Sequence, residues 1–356
     1  MTFQITLHPG SHAFACEADQ TVLDAALKAG FILPYGCRNG ACGSCKGSVA
    51  AGTIDWGNYA SGVLSDVEKA QGKALFCKAT PCSDITIEAR DVRRAGDVQI
   101  KKLPSRVEHL EKVVDDVAIV RLKIPANERL QFRAGQYVDV LLRDGKRRSF
   151  SIGVAPHDDA LLELHIRHLQ GGVFTDPLFA TGKVKDIWRF EGPFGSFYLR
   201  EDSDKPIILV ASGTGFAPIK AIIEHAHHVG SSRPMVLYWG GRRPKDLYLS
   251  ELAKSWEDKG GAFTFIPVIS DALPEDNWQG RKGFVHQAVM EDFPDMTGYQ
   301  VYACGAPIVV DSARRDFVAR CKLPDDEFFA DSFTVAAEAE AGFGNAAQSM
   351  PAVPAP

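Results

Sequence analysis

The segment Tyr35-Gly36-Cys37-Arg38-Asn39-Gly40-Ala41-Cys42-Gly43-Ser44-Cys45 sets three cysteines in the order C-x4-C-x2-C, and Cys77 adds a fourth about thirty residues on. That is the ligand spacing of a [2Fe-2S] cluster, in which two sulfide-bridged irons are held by four thiolates. One loop can present three of them only if its backbone curls around the metal. Gly36, Gly40 and Gly43 are expected to supply positive φ, and the small Ala41 and Ser44 let amide N–H groups turn toward the sulfides. A four-thiolate zinc site competes with this reading, although such sites usually show two C-x2-C pairs. Disulfides are disfavoured because nothing marks the chain as secreted.

Working outward, 356 residues exceed one ordinary core and suggest two or three domains. With 45% hydrophobic and 24% charged residues the composition is that of a soluble globular protein, and a net charge of −5 gives no reason to expect nucleic acid. No apolar run approaches the ~18 residues of a membrane span. Met1-Thr2-Phe3-Gln4 shows no basic segment leading into an apolar stretch, so a signal peptide is not expected and the cytoplasm is the default location. Cys16, Cys82 and Cys321 read as ordinary thiols.

Residues 3–8 and 12–16 alternate around Pro9-Gly10 as a hairpin, and 21–29 has helical spacing that ends at Gly30. Ser65 and Glu68 fit a capping box, and residues 85–88 close with a strand. Hairpin, helix and returning strand around a cysteine loop resemble the β-grasp fold of plant-type ferredoxins, which assigns residues 1–92. Residues 93–104 read as a basic interdomain linker, or alternatively a basic strand edge. From 105 to 203 short strands and turns suggest an antiparallel β-barrel. Between 204 and 334 a buried run at 206–211, further strand candidates at 235–239, 264–268 and 300–303, and intervening helical stretches indicate a parallel α/β sheet. The Ala-, Gly- and Pro-rich stretch 335–356 is expected to be disordered.

Within the barrel, Arg148-Ser149-Phe150-Ser151 precedes His165-Ile166-Arg167 and then Gly172-Val173-Phe174-Thr175. An arginine offers bidentate hydrogen bonds to a pyrophosphate. A serine hydroxyl reaches a flavin ring nitrogen, an aromatic ring covers it, and a helix opening at 172–175 would favour a phosphate. Alone, Arg148 reads equally as a surface charge and Phe150 as core. These stretches resemble the flavin-binding pattern R-x-Y-S, basic strand, G-x-x-S/T of the ferredoxin-NADP reductase superfamily. Phe150 stands where the family usually has tyrosine, and Thr175 where it usually has serine. The resemblance implies FAD rather than FMN, bound through Arg148, Ser149, Phe150, Ser151, His165, Arg167, Gly172, Val173 and Thr175.

In the last domain Gly213-Thr214-Gly215-Phe216-Ala217-Pro218 follows a strand and opens a helix, a turn that lets a dinucleotide pyrophosphate approach the backbone. Together with Tyr238-Trp239-Gly240-Gly241-Arg242 and Tyr302-Ala303-Cys304-Gly305-Ala306-Pro307 it falls at strand carboxyl ends, where open α/β sheets bind ligands. The G-T-G-x-A-P turn and the C-G-x-P segment resemble the same superfamily. The resemblance places Gly213, Thr214, Gly215, Pro218, Cys304, Gly305 and Pro307 at the nicotinamide nucleotide, with Cys304 near its reacting carbon. Cys304 reads equally as a buried small hydrophobe. Phe333 is either the aromatic that shields the flavin in relatives or ordinary packing. Asp246 suits a ribose 2′-hydroxyl and NADH, whereas Arg242 and Arg243 suit the 2′-phosphate of NADPH.

The order ferredoxin, flavin barrel, nucleotide domain resembles the reductase components of bacterial multicomponent oxygenases and the CDP-6-deoxy-3,4-glucoseen reductases. It implies that a hydride from NADH reaches the flavin near Ser151, and that electrons leave singly through the cluster to a partner protein. That partner is a terminal oxygenase or hydroxylase, or else a sugar dehydrase. A redox sensor or electron carrier without catalysis is the distant alternative.

Overall fold

The computed structural model describes residues 1–334 except Ser11, Arg90, Asp91, Ala95 and Asp97, so the expectation for 335–356 lies outside the described residues. In the first domain a five-stranded mixed sheet runs in the order Ala13–Glu17, Thr2–His8, Ile85–Glu88, Lys46–Ala51, Lys73–Leu75. Only the pairing of Thr2–His8 with Ile85–Glu88 is parallel. The helix Val22–Lys28 buries Val22, Leu23, Ala25 and Ala26 in the same core as Ile5, Phe76 and Ile87. Thr21 caps it by accepting the Asp24 N–H at 3.1 Å, and Gly30 follows at φ +78°. The Ser65–Glu68 capping box opens the helix Asp66–Ala70. Together these elements form the expected β-grasp.

Within 93–104, strand is found at both ends. Arg93–Arg94 pairs antiparallel with Phe31–Ile32, with the Arg94 guanidinium over the Phe31 ring, and the long strand Lys101–Val114 has already begun. Backbone pairing with the first domain overrides the weak apolar pattern here. Six antiparallel strands follow in the order Arg147–Ser151, Tyr137–Leu141, Ile187–Phe194, Lys101–Val114, Val117–Lys123, Leu162–Arg167. An antiparallel bridge between Ile152 and Leu164 closes them into a barrel.

The third domain is an all-parallel sheet ordered Arg281–Lys282, Phe263–Ile269, Met235–Gly241, Ile207–Ser212, Gln300–Gly305, Phe328–Ser332. Strand order reverses between Ile207–Ser212 and Gln300–Gly305, so a crevice opens at their carboxyl ends, next to Gly213 and Gly305. Residues of the barrel also complete the cores of its neighbours. Tyr137 and Phe194 of the barrel belong to the ferredoxin core, and Ala134, Phe197 and Leu199 belong to the nucleotide-domain core. Among the described residues, no helix is long and apolar enough to cross a membrane.

Candidate functional site

The cysteine loop curls as its glycines suggest, with one exception. Gly40 and Gly43 take φ of +83° and +72°, whereas Gly36 does not and Arg38 adopts +58° instead. Glycine at 36 serves close approach: a Cβ there would stand 3.4 Å from both Cys42 Sγ and Ser44 Oγ. Cys42 Sγ accepts the Cys37 N–H at 3.4 Å. The thiols neighbour one another in two pairs, Cys37 with Cys42 and Cys45 with Cys77, and within each pair the interaction between them holds one, Cys37 or Cys77, below the usual range and raises its partner. Among the described residues no group of three or more donors converges on a single point. Four cysteines in two neighbouring pairs suit a cluster of two irons with four thiolate ligands.

This loop is clasped by the barrel. Tyr137 Oη donates to the Gly36 carbonyl at 2.7 Å, and Ser196 both accepts from the Tyr35 N–H at 2.9 Å and donates to its carbonyl at 3.0 Å. Arg38 lies 4.4 Å over the Phe194 ring and reaches Asp24 and the buried Asp139, at 3.3 and 3.9 Å. Replacing Tyr137 with phenylalanine removes a contact worth about 1 kcal/mol. We expect cytochrome c reduction in that variant to fall relative to ferricyanide reduction, read as the ratio of the two NADH-dependent rates. An unchanged ratio would show that the clasp does not set the path to the cluster.

A single cleft of about 1960 Å³ joins the three domains. Cys37 and Cys77 line it from the first domain. Arg148, Ser149, Phe150, Ser151, His165, Arg167, Gly172, Val173 and Thr175 line it from the barrel. The third domain contributes Gly213, Thr214, Arg242, Arg243, Asp246, Pro307 and Phe333. Phe150 packs on Phe174 with ring centroids 5.4 Å apart, and Phe333 remains 36% exposed at the mouth. Arg167, paired with Asp116, stands so close to the glycine turn that a Cβ on Gly213 would lie 3.1 Å from its Nη2.

Several of the expected residues also make contacts within the scaffold. The helix beyond Gly172 begins only at Thr175, whose hydroxyl donates to the Leu169 carbonyl at 2.8 Å and accepts its N–H at 3.1 Å. Gly213–Gly215 forms a short 3₁₀ turn that runs into the helix Phe216–His228, with Pro218 buried in its first turn. A Cβ on Gly215 would collide with the Cys304 carbonyl at 2.2 Å, and one on Gly305 with Ser212 Oγ at 2.3 Å. These glycines let two strand ends meet. His165 is buried between Glu163, 2.9 Å from Nε2, and the Tyr248 hydroxyl, 2.7 Å from Nδ1, and burial lowers its pKa. Burial opposes ionisation of Glu163, but His165 and the Lys220 ammonium, 3.2 Å away, hold its carboxyl well below the usual range. This buried network locks barrel to nucleotide domain.

Asp331 was not singled out from sequence, and it stands at the meeting point of the three domains. Ser151 Oγ donates to its Oδ2 at 3.2 Å, the buried Cys304 thiol lies 4.0 Å from the same oxygen, and a Cβ on Gly36 would be 3.7 Å from Oδ1. Burial pushes the Asp331 carboxyl up to about 6, against the Ser151 hydrogen bond. The one signal available in the sequence is a carboxylate inside the mostly apolar run Phe328-Phe329-Ala330-Asp331. Cys304 itself is 1% exposed and sits behind the cleft wall rather than on it.

A paired-thiolate loop, an arginine-lined barrel wall and a glycine turn at a strand-order reversal, all on one cleft, define a reductase that couples a nucleotide, a flavin and an iron–sulfur cluster. Family models agree: a 2Fe-2S iron-sulfur cluster binding domain matches residues 5–82, an oxidoreductase FAD-binding domain 104–198, and an oxidoreductase NAD-binding domain 209–315. The chain belongs to the three-module iron–sulfur flavoprotein reductases of the ferredoxin-NADP reductase superfamily. It is 36% identical over 333 residues to the CDP-6-deoxy-L-threo-D-glycero-4-hexulose-3-dehydrase reductase of Yersinia pseudotuberculosis, covering 94% of this chain and 99% of that one. Against terephthalate 1,2-dioxygenase reductase component 1 of a Comamonas species it is 37% identical over 316 residues, covering 88% and 92%. The crystal structure of a cytochrome P450 reductase from Amycolatopsis superposes with a TM-score of 0.76 at 33% identity, covering 94% and 99%. The protein is thus an NAD- and FAD-dependent electron-transfer reductase with a [2Fe-2S] centre.

Proposed function

We propose that this reductase takes electrons from NADH and hands them singly to a terminal oxygenase or hydroxylase. The observation that carries the reading is the shared cleft: Cys37, Ser151 and Gly213, from three domains, line one cavity, so the two transfers need no large rearrangement. The Comamonas and Amycolatopsis relatives support an oxygenase as acceptor. A sugar dehydrase is the second reading, supported by the Yersinia relative. Supplying the purified reductase and NADH to each class of acceptor tests the choice. Product formation with an oxygenase component and none with a dehydrase is expected, and the reverse would replace the first reading by the second.

The bound groups bring two-electron chemistry at the flavin and one-electron chemistry at the cluster; this chain's residues hold and orient them. Cys37, Cys42, Cys45 and Cys77 would together hold the cluster. Arg148 holds the FAD pyrophosphate, Ser149 and Gly172 line its path, and Phe150 covers the ring or ribityl chain. Ser151 presents its hydroxyl at the ring edge and is itself aimed by Asp331. The Gly213 turn would take the nucleotide pyrophosphate, and Phe333, on the same cleft, would cover the flavin ring. Cys304, behind the wall, supports the nicotinamide position through Asp331.

Ser151→Ala should keep FAD bound and slow its reduction by NADH about tenfold or more, as loss of a preorganised hydrogen-bonding group at the reacting ring does. Stopped-flow bleaching of the flavin reads this directly. An unchanged rate would remove that hydroxyl from the ring edge.

A further inference from the structure

The loop after the strand Met235–Gly241 faces the cleft with Arg242, Arg243, Lys245 and Asp246, and two of these, Arg243 and Asp246, are engaged within the protein. Asp246 does not point an idle carboxylate at a ribose. Its Oδ2 accepts the backbone N–H groups of Arg242 at 2.8 Å and Arg243 at 3.0 Å, which closes the turn Pro244–Asp246. Arg243 is turned toward a neighbouring segment. Its Nε donates to Asp276 Oδ2 at 2.6 Å and its Nη2 to Asp276 Oδ1 at 2.8 Å, a two-pronged pair, with Glu275 Oε1 3.4 Å from Nη2. Asp276 is fixed in turn by accepting the Leu273 N–H at 2.9 Å. Neither Glu275 nor Asp276 lines the cleft.

A fork-to-fork arginine–carboxylate pair uses the same guanidinium edge that a phosphate would use. Arg243 is therefore already matched against two carboxylates, and a second phosphate that used its guanidinium must displace one carboxylate and face the other; Arg242 and Lys245 line the cleft beside it. We infer that Asp276, assisted by Glu275, is the specificity-determining element for the nucleotide: by withdrawing Arg243 it sets this site against the 2′-phosphate of NADPH. The inference rests on the reading that the nucleotide binds at the carboxyl ends of these strands. It assigns discrimination to a pair of carboxylates on the segment after Phe263–Ile269, not to Asp246.

The test compares 5′-AMP with adenosine 2′,5′-bisphosphate, which differ only in the phosphate at issue, by titration calorimetry on the oxidised holoenzyme. Wild-type protein should bind 5′-AMP more tightly. In Glu275→Gln/Asp276→Asn the bisphosphate should gain about tenfold or more, the size of one charge-assisted hydrogen-bonded contact, with 5′-AMP unchanged. Adding Arg243→Ala should erase the gain. The kcat/KM ratio of NADPH to NADH should follow the same order. Asparagine retains an oxygen for the Leu273 N–H, and Glu275→Gln alone, at an exposed position, gives a second variant in which a smaller gain is expected. If the bisphosphate affinity stays at the wild-type value while 5′-AMP still binds, or if the wild type already prefers the bisphosphate, the inference is overturned and the site reading stands. Failure of the wild type to bind 5′-AMP would overturn both.

Discussion

Cys42→Ser protein should come off the column yellow rather than brown, stripped of cluster absorbance, and should reduce cytochrome c only at background while still reducing ferricyanide with NADH. The argument begins with the loop. Cys42 Sγ donates to Ser44 Oγ and accepts the Cys37 N–H, both at 3.4 Å, so it is held beside Cys37 within the loop. A serine hydroxyl at that position stays protonated at neutral pH and is no thiolate, which leaves one iron with a single protein ligand. The flavin wall lies in another domain, on the strand Arg147–Ser151, and no residue of it depends on Cys42. Metal and sulfide analysis of the wild type should give about two irons and two sulfides per chain. One zinc and no iron would end the cluster reading. Simultaneous loss of both activities in a folded variant would show that flavin and cluster are not separable modules.

Much of this was legible in the sequence, for physical reasons. Cluster ligation needs side chains at a fixed spacing in one loop, and the glycine turn needs a strand before it and a helix after it, so Cys37–Cys45 and Gly213–Pro218 carry their signals locally. The parts that escaped are non-local. Arg281–Lys282 and Phe328–Ser332 are short or polar edge strands whose register comes from the neighbours they pair with, and their own pattern is weak. Tyr137 reads as one strand residue among many until Gly36, 101 positions earlier in the chain, is folded against it. Asp331 gains meaning only when Ser151, Cys304 and the cluster loop converge on it. Asp246 and Arg243 are the same kind of case: only the fold places the Asp246 carboxylate on the N–H groups of its own turn and the Arg243 guanidinium on Asp276.

Arg148→Ala should purify with much of its FAD lost and recover it only with added flavin. Arg148 lies on the strand Arg147–Ser151, paired across from Val140, half-buried, and lines the cleft beside Ser149 and Phe150. Its Nη1 donates to the Arg147 carbonyl at 2.8 Å, which holds the guanidinium in place before any phosphate arrives. A hydrogen bond to a charged group is worth about 1.5–3 kcal/mol, so its loss weakens FAD by roughly tenfold to a hundredfold. Flavin fluorescence released on dilution and ultrafiltration gives the dissociation constant, while retained cluster absorbance shows that the variant is folded. Lysine at this position should restore only part of the affinity, because a point charge replaces a planar fork. Should Arg148→Ala keep FAD as tightly as the wild type, the pyrophosphate must be held elsewhere on the barrel wall. Arg167 would then be the next candidate, since it lines the same cleft from the strand Leu162–Arg167 and already reaches the Gly213 turn.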